Sequence, residues 1–252
     1  MSAPAACALL VGAQARLWAN AQSLAAGWLT DSERERHAGM REARQREFIA
    51  CRYAMRLLLA GGHDAASTWR LAAPRNAAPH VEQGGEGGIF GAQSRLSLSH
   101  SAGWLACAAA QGPVGVDIER RAEHRQRDVH AMAEMVCSSP ERAWLQAQDG
   151  ARLQHSLVQL WSLKEAYFKS LGQGLDFVRM RQLAWAPASA ALDTARQPLA
   201  HGRLWQGRDC DAQAVCLALC MPGPLPEVAM HVQGEVAWHA VSDWRLVELP
   251  DL

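Results

Sequence analysis

Apolar positions in residues 31–60, "DSERERHAGMREARQREFIACRYAMRLLLA", recur at helical spacing. Phe48, Cys51, Met55, Leu58 and Leu59 form one stripe, and Gly61-Gly62 ends it. Arg52 lies at the edge of that stripe, with Arg56 one turn on; a guanidinium beside a core needs an anion, either a carboxylate or a phosphate. Residues 72–93 are rich in Gly, Ala and Pro and read as loop, after which "SRLSLSH" alternates like a strand. "WLACAAA" and "VGVDIE", separated by Gln111-Gly112-Pro113, are predicted to pair as a hairpin with a three-residue turn. A charged connection, "RRAEHRQRD", leads to a helical region over about 129–147, and a further helix over about 152–171 stops at Gly172. The pieces "RQLAWAP", "AVCLALCMP", "EVAMHV" and "DWRLVEL" then read as short strands. Helices and non-parallel strands without a βαβ repeat predict an α+β fold. Gln111–Pro113 is the expected seam between an N-terminal half, 1–112, and a C-terminal half, 113–252.

The 152–171 helix has an unusual polarity. Advancing 100° per residue, Leu157, Trp161, Lys164, Phe168 and Leu171 share the stripe expected to face the core, with Glu165 and Lys169 at its flank. Ser162, Leu163, Ala166, Tyr167 and Ser170 fall on the side expected to face outward. Lys164 and Lys169 are also the only lysines in the chain; every other cation is arginine. Glu165 and Lys169 alone could be a surface pair at i, i+4 spacing. That leaves Lys164 unexplained. The second reading is a cleft wall, where compact ammonium charges meet a phosphate beside a carboxylate that a planar guanidinium would capture.

"VGVDIE" places Asp117 and Glu119 on one face of a strand. Two such carboxylates repel unless a cation sits between them, and oxygen-only ligands suit Mg²⁺ or Mn²⁺ rather than zinc. Ser99, His100 and Ser101 end the preceding strand and are able to donate to phosphate oxygens; a structural role for that histidine stays open. Neither a G-x-S-x-G elbow nor a P-loop occurs.

Composition narrows the class. The chain has 252 residues with 25 basic and 25 acidic side chains, so no net field draws it to nucleic acid or to a membrane surface. It is 49% hydrophobic and 20% charged, as soluble domains are. The N-terminus has no basic residue before Arg16, no run reaches the length of a membrane span, and the seven cysteines form no C-x-x-C. A cytoplasmic protein is expected.

Read in order, "SLSHSAGWLA", "GVDIE" and "WSLKEAYFKSLGQGL" resemble the successive motifs of the 4′-phosphopantetheinyl transferases, in their large single-chain (Sfp-type) form. "REFIACRYAMRLLL" matches more loosely, and the last 75 or so residues carry no usable motif. The resemblance implies two similar α+β halves related by pseudo-twofold symmetry, with coenzyme A between them. It implies transfer of phosphopantetheine from CoA to a carrier-protein serine, releasing adenosine 3′,5′-bisphosphate. Asp117, Glu119 and Glu165 match the Mg²⁺ ligands; Lys164, Lys169, Ser99 and His100 match residues contacting the CoA phosphates. Arg52 matches the arginine at the 3′-phosphate, with Arg34 and more loosely His37 as helpers. Glu165 is the candidate base and Lys169 the stabiliser of phosphate charge, with Asp117 and His100 beside them. Where many members carry Gly-Lys-Pro, this chain has Ala78-Pro79, so that either Arg75 substitutes for the lysine or CoA binds more weakly. Arg120 and Arg121 offer a basic rim for an acidic carrier protein. A monomer is expected. Two other readings stand beside this one: a non-catalytic homologue that binds CoA or carrier protein, and a Mg²⁺-dependent phosphohydrolase acting on CoA.

Overall fold

The structure is a computed structural model that describes residues 7–25, 27–74, 78–85, 90–120, 128–190 and 197–249. In chain order its elements are β1 (Cys7–Ala13), α1 (Gln14–Ala21), α2 (Asp31–Ala38), α3 (Glu42–Ala60), β2 (Arg70–Ala72), β3 (His80–Gln83), β4 (Arg95–Ser101), β5 (Trp104–Ala110) and β6 (Gly115–Arg120). They continue with α4 (Val129–Val136), α5 (Ser139–Gln146), α6 (Gly150–Ser170), α7 (Phe177–Gln182), β7 (Leu183–Pro187), β8 (Ala200–Asp209), β9 (Ala214–Met221), β10 (Val228–Gln233) and β11 (Val236–Glu248). The fold is mixed α+β. No helix among the described residues is long and apolar enough to cross a membrane.

The chain divides into two compact units. Unit 1 is Met1–Val114 with Pro226–Glu235, and unit 2 is Gly115–Leu225 with Val236–Leu252. The division falls next to Gln111–Pro113, but the chain returns to unit 1 for one late strand.

In unit 1 a four-stranded sheet runs β10-β1-β5-β4, with β10 parallel to β1. Ala8 and Leu10 of β1 and Leu105, Cys107 and Ala109 of β5 pack against Leu17 and Ala21 of α1 and Ala50, Met55 and Leu59 of α3. The single helix expected over 31–60 is two helices. Thr30 caps α2 in a reciprocal box with Glu33, Gly39 ends it, and α3 starts afresh at Glu42 before ending on left-handed Gly61 (φ 70°).

The expected hairpin of "WLACAAA" with "VGVDIE" does not form. β5 pairs with β4 across Ala102-Gly103, both at positive φ, as the two-residue hairpin turn requires. Gln111–Pro113 leads instead into the other unit, where β6 pairs with β9. The turn signal lay in "AG", a weaker cue than Gly-Pro.

Unit 2 is an antiparallel sheet in the order β6-β9-β8-β11-β7 with α6 on one face. Here the helical-wheel expectation holds for Leu157, Lys164 and Phe168, which are buried, but fails for the other side and for Leu171. Ser162, Leu163, Ala166, Tyr167 and Ser170, read as outward, are all buried, whereas Leu171 is exposed. Ser162, Ala166 and Ser170 recur every four residues, and small side chains let a helix backbone approach a sheet. The approach is closest at Gly115, where an added Cβ would stand 1.7 Å from the Ala166 carbonyl oxygen. Strand alternation then sets Asp117 and Glu119 on the same helix-facing side as Gly115.

Backbone faces backbone at that contact, so nothing nearby is able to yield. Gly115→Ala should therefore lower stability by at least about 3 kcal/mol, beyond the usual range of overpacking. Gly112→Ala, at a position open on all sides, should change it by less than about 1 kcal/mol. Urea unfolding of both variants checks the contrast.

Candidate functional site

The chemistry of unit 2 collects where α6 crosses β6. Lys169 Nζ donates to Asp117 Oδ1 at 2.7 Å and lies 3.3 Å from Glu165 Oε2. One turn before Glu165, Trp161 Nε1 donates to Glu119 Oε1 at 2.9 Å. Asp117 is 2% exposed, and Glu165 and Glu119 are half-buried. Burial, then the charge of Asp117, push the Glu165 carboxyl up to about 7 against the pull of Lys169, and Glu119 adds to the rise. Burial works against the Lys169 ammonium, but Asp117 and Glu165 outweigh it and hold its pKa above the ordinary lysine value. The site is thus a carboxyl poised near neutrality beside a permanent cation.

Its donor set, three carboxylates, suits a hard divalent cation; burial first, and then the charges of Asp117 and Glu119, raise Glu165. As placed, the Lys169 ammonium bridges two of them, and among the described residues no three carboxylate, imidazole or thiolate groups already converge as a metal cage.

Lys164 is placed differently from its neighbour. It is 1% exposed, and its Nζ donates to Met180 O at 2.6 Å and Leu183 O at 2.8 Å and pairs with Glu141 Oε2 at 2.9 Å. An ammonium has three N–H groups, and three acceptors meet them here. The phosphate contact expected from the sequence does not agree with this burial: Lys164 ties α6 to α5 and to the α7–β7 junction. Glu141 is itself the N3 residue of a capping box with Ser138 and also accepts from Trp185 N at 2.9 Å.

Unit 1 carries the same device by itself. Glu33, the capping-box partner of Thr30, is fully buried and takes Arg56 in two parallel bonds of 2.9 and 2.6 Å. Arg56 Nε donates to Trp69 O at 2.9 Å. Arg52 donates to Ala72 O, stacks 4.9 Å over Phe48 and lies 3.6 Å from Glu33. Of the two anions the sequence allowed for Arg52, the structure supplies the carboxylate. Neither Glu33 nor Glu141 stood out in the sequence. The spacings Thr30-x-x-Glu33 and Ser138-x-x-Glu141 were the signals available.

Arg34 is exposed and bonds to Asp31 and to Leu29 O. Ser99 is buried in β4, and half-exposed His100 has Nε2 3.4 Å from both Glu47 Oε1 and Arg44 Nη1. Ala78 is exposed, whereas Arg75 and Arg121 lie outside the described residues. Arg120 is engaged by Asp209 and Asp211, which removes it from any free basic rim.

Replacing Lys164 by Met strands a buried Glu141 charge and should cost about 3–5 kcal/mol in thermal or denaturant unfolding. The double variant Lys164→Met/Glu141→Gln should recover part of that loss. A Lys164→Met protein of unchanged stability would return the residue to phosphate binding.

Comparison with known proteins follows the same boundary. Residues 113–220 match the sequence model of the 4′-phosphopantetheinyl transferase superfamily. The chain is 38% identical over 80 residues to 4′-phosphopantetheinyl transferase gsp of Aneurinibacillus migulanus, covering 32% of each chain. It is 38% identical over 82 residues to 4′-phosphopantetheinyl transferase psf-1 of Bacillus pumilus, covering 32% of this chain and 34% of that one. Against 4′-phosphopantetheinyl transferase Sfp of Bacillus subtilis strain 168 the identity is 32% over 83 residues, covering 33% and 35%. The match spans about a third of the length of these curated relatives. The segment that holds the β6–α6 carboxylates and Lys169 is thus the one similar to the 4′-phosphopantetheinyl transferase superfamily.

Proposed function

We propose that the protein transfers the 4′-phosphopantetheine arm of coenzyme A to a serine of an apo carrier protein, releasing adenosine 3′,5′-bisphosphate. The observation that carries this reading is the cluster of Asp117, Glu119, Glu165 and Lys169 inside the segment matched to the family. A hydroxyl attacking a pyrophosphate needs a proton acceptor, and needs negative charge offset at the phosphorus being attacked. Glu165 meets the first need as the half-buried carboxylate at the edge of the cluster, taking the hydroxyl proton directly or through a water. Lys169 meets the second, because its neighbours keep it charged across the physiological range. Asp117 positions that ammonium, and the Trp161 indole fixes the Glu119 carboxylate.

Asp117, Glu119 and Glu165 would hold Mg²⁺. Bound there, the ion would supply charge neutralisation to the pyrophosphate. In unit 1, Arg44 and His100 lie side by side, each next to Glu47, and are assigned here to phosphate oxygens, since Arg52 and Arg56 are committed to Glu33. The carrier is expected to be acidic, and the protein to act as a monomer in the cytoplasm.

The test is intact-mass spectrometry of apo carrier proteins incubated with the protein, CoA and Mg²⁺. One added phosphopantetheine group is expected, absent with EDTA and reduced at least about 100-fold by Glu165→Gln or Lys169→Met. Free phosphopantetheine without carrier modification would mark a hydrolase instead. CoA binding with neither product would mark a non-catalytic homologue.

A further inference from the structure

Unit 1 holds a pocket of about 480 Å³ where α1, α3 and the edge strand β10 meet. Strand register explains what faces it. β10 runs parallel to β1 with His231 opposite Leu10 and Gln233 opposite Gly12. Leu10 packs into the core beneath α1 and α3, so His231 and Gln233 stand on the helix side of the sheet, at its rim. His63 enters from the turn just after α3 and lines the same pocket.

The two rings of His63 and Tyr53 are locked together. Tyr53 Oη lies 2.7 Å from His63 Nδ1, and Tyr53 is buried. The other ring nitrogen, Nε2, has only Ser23 Oγ at 3.3 Å. Ser23 Oγ also lies 2.7 Å from Asn20 O, and a hydroxyl has a single proton to give. That leaves Nε2 at most as donor to Ser23 Oγ across a long 3.3 Å, a contact that a better partner would replace. His231 is exposed and has no hydrogen-bond partner among the described residues, so its ring is free to turn toward that partner.

Charge selects the kind of partner. Both α1 and α3 end at this pocket, and helix C-termini carry negative partial charge on their last carbonyls. Among the described residues no Lys, Arg, Asp or Glu lines it. A cation is favoured, and neutral imidazoles are ligands for the borderline metals Zn²⁺, Ni²⁺, Co²⁺ and Cu²⁺ rather than for Mg²⁺. A metal-bound histidine needs its second nitrogen anchored, and with Nε2 on a metal, Nδ1–H would donate to Tyr53 Oη.

We infer that this pocket is a site for one divalent transition-metal ion, held by His63 Nε2 and the His231 imidazole, with Tyr53 orienting the His63 ring. Asn20, Ser23, Gln233 and water supply the remaining oxygens. The ion would clamp the β10 edge to the ends of α1 and α3. This is a different metal chemistry from that of the carboxylate cluster, and it does not depend on the transferase reading.

The test is titration of the full-length protein, in a Cys210→Ser background that removes the exposed thiol. Co²⁺ would be followed by visible absorption and Zn²⁺ by calorimetry, with circular dichroism confirming each variant's fold. One ion per chain with a micromolar Kd is expected, weakened at least about 10-fold by either His63→Ala or His231→Ala, and by Tyr53→Phe through lost orientation. Excess Mg²⁺ should not displace it. Because His231 is exposed, its variant reads the site even where His63→Ala disturbs packing. Millimolar binding only, unchanged affinity in His231→Ala, or displacement by Mg²⁺ would overturn the proposal.

Discussion

The seating of α6 on β6 at Gly115 is the constraint from which the site follows. Because residue 115 has no side chain, the Ala166 carbonyl comes within 1.7 Å of where a Cβ would be. Strand alternation projects Asp117 and Glu119 to the same side, and helical spacing brings Trp161, Glu165 and Lys169 to them. A larger residue at 115 would lift the helix and separate acceptor from cation. The charged cluster tolerates burial because its cation and carboxylates arrive together; any one of them alone would be costly there.

A second device recurs in both units. In each, a capping-box glutamate starts a short helix, is buried, and takes a cation from the long helix that lies on the sheet: Glu33 with Arg56, Glu141 with Lys164. Each cation also donates to strand-side carbonyls, Trp69 O for Arg56 and Leu183 O for Lys164. Buried pairs of this kind contribute little net stability over apolar packing but are costly to break, so they fix where the elements sit. They also divide the charges by task. Arg56 and Lys164 hold the scaffold, while Lys169 stays partly exposed beside Asp117 and Glu165, where the proposed transfer would use it.

Much of this was legible in the sequence, and the gaps have physical causes. Asp117, Glu119, Glu165 and Lys169 were readable because strand and helix periods put them on definable faces. Lys164 was rightly placed on a buried face, but its partners, Glu141 and two carbonyls, come from other elements and were not readable from its own helix. The opposite side was misread because the wheel took aromatic size as the sign of the inward face. Ser162, Ala166 and Ser170 bury little area, yet they are what lets the helix approach. The 31–60 helix breaks at Gly39, a signal outweighed by the apolar stripe beyond it. β1, α1 and β8 were not foreseen. β1 is fully buried and shows no alternation, and Gly202 and Gly207 interrupt the strand pattern of β8. The parallel pairing of β10 with β1 joins residues more than two hundred positions apart, which local pattern does not encode.

The central proposal is that the three carboxylates which one helix and one strand bring near Lys169 would together hold one divalent cation. Mn²⁺ titration followed by electron paramagnetic resonance, with CoA present and in a His63→Ala background, tests it directly. The expected result is one ion per chain, displaced by Mg²⁺ and lost equally on Asp117→Asn in the strand and Glu165→Gln in the helix. Binding that survives both substitutions would contradict the account.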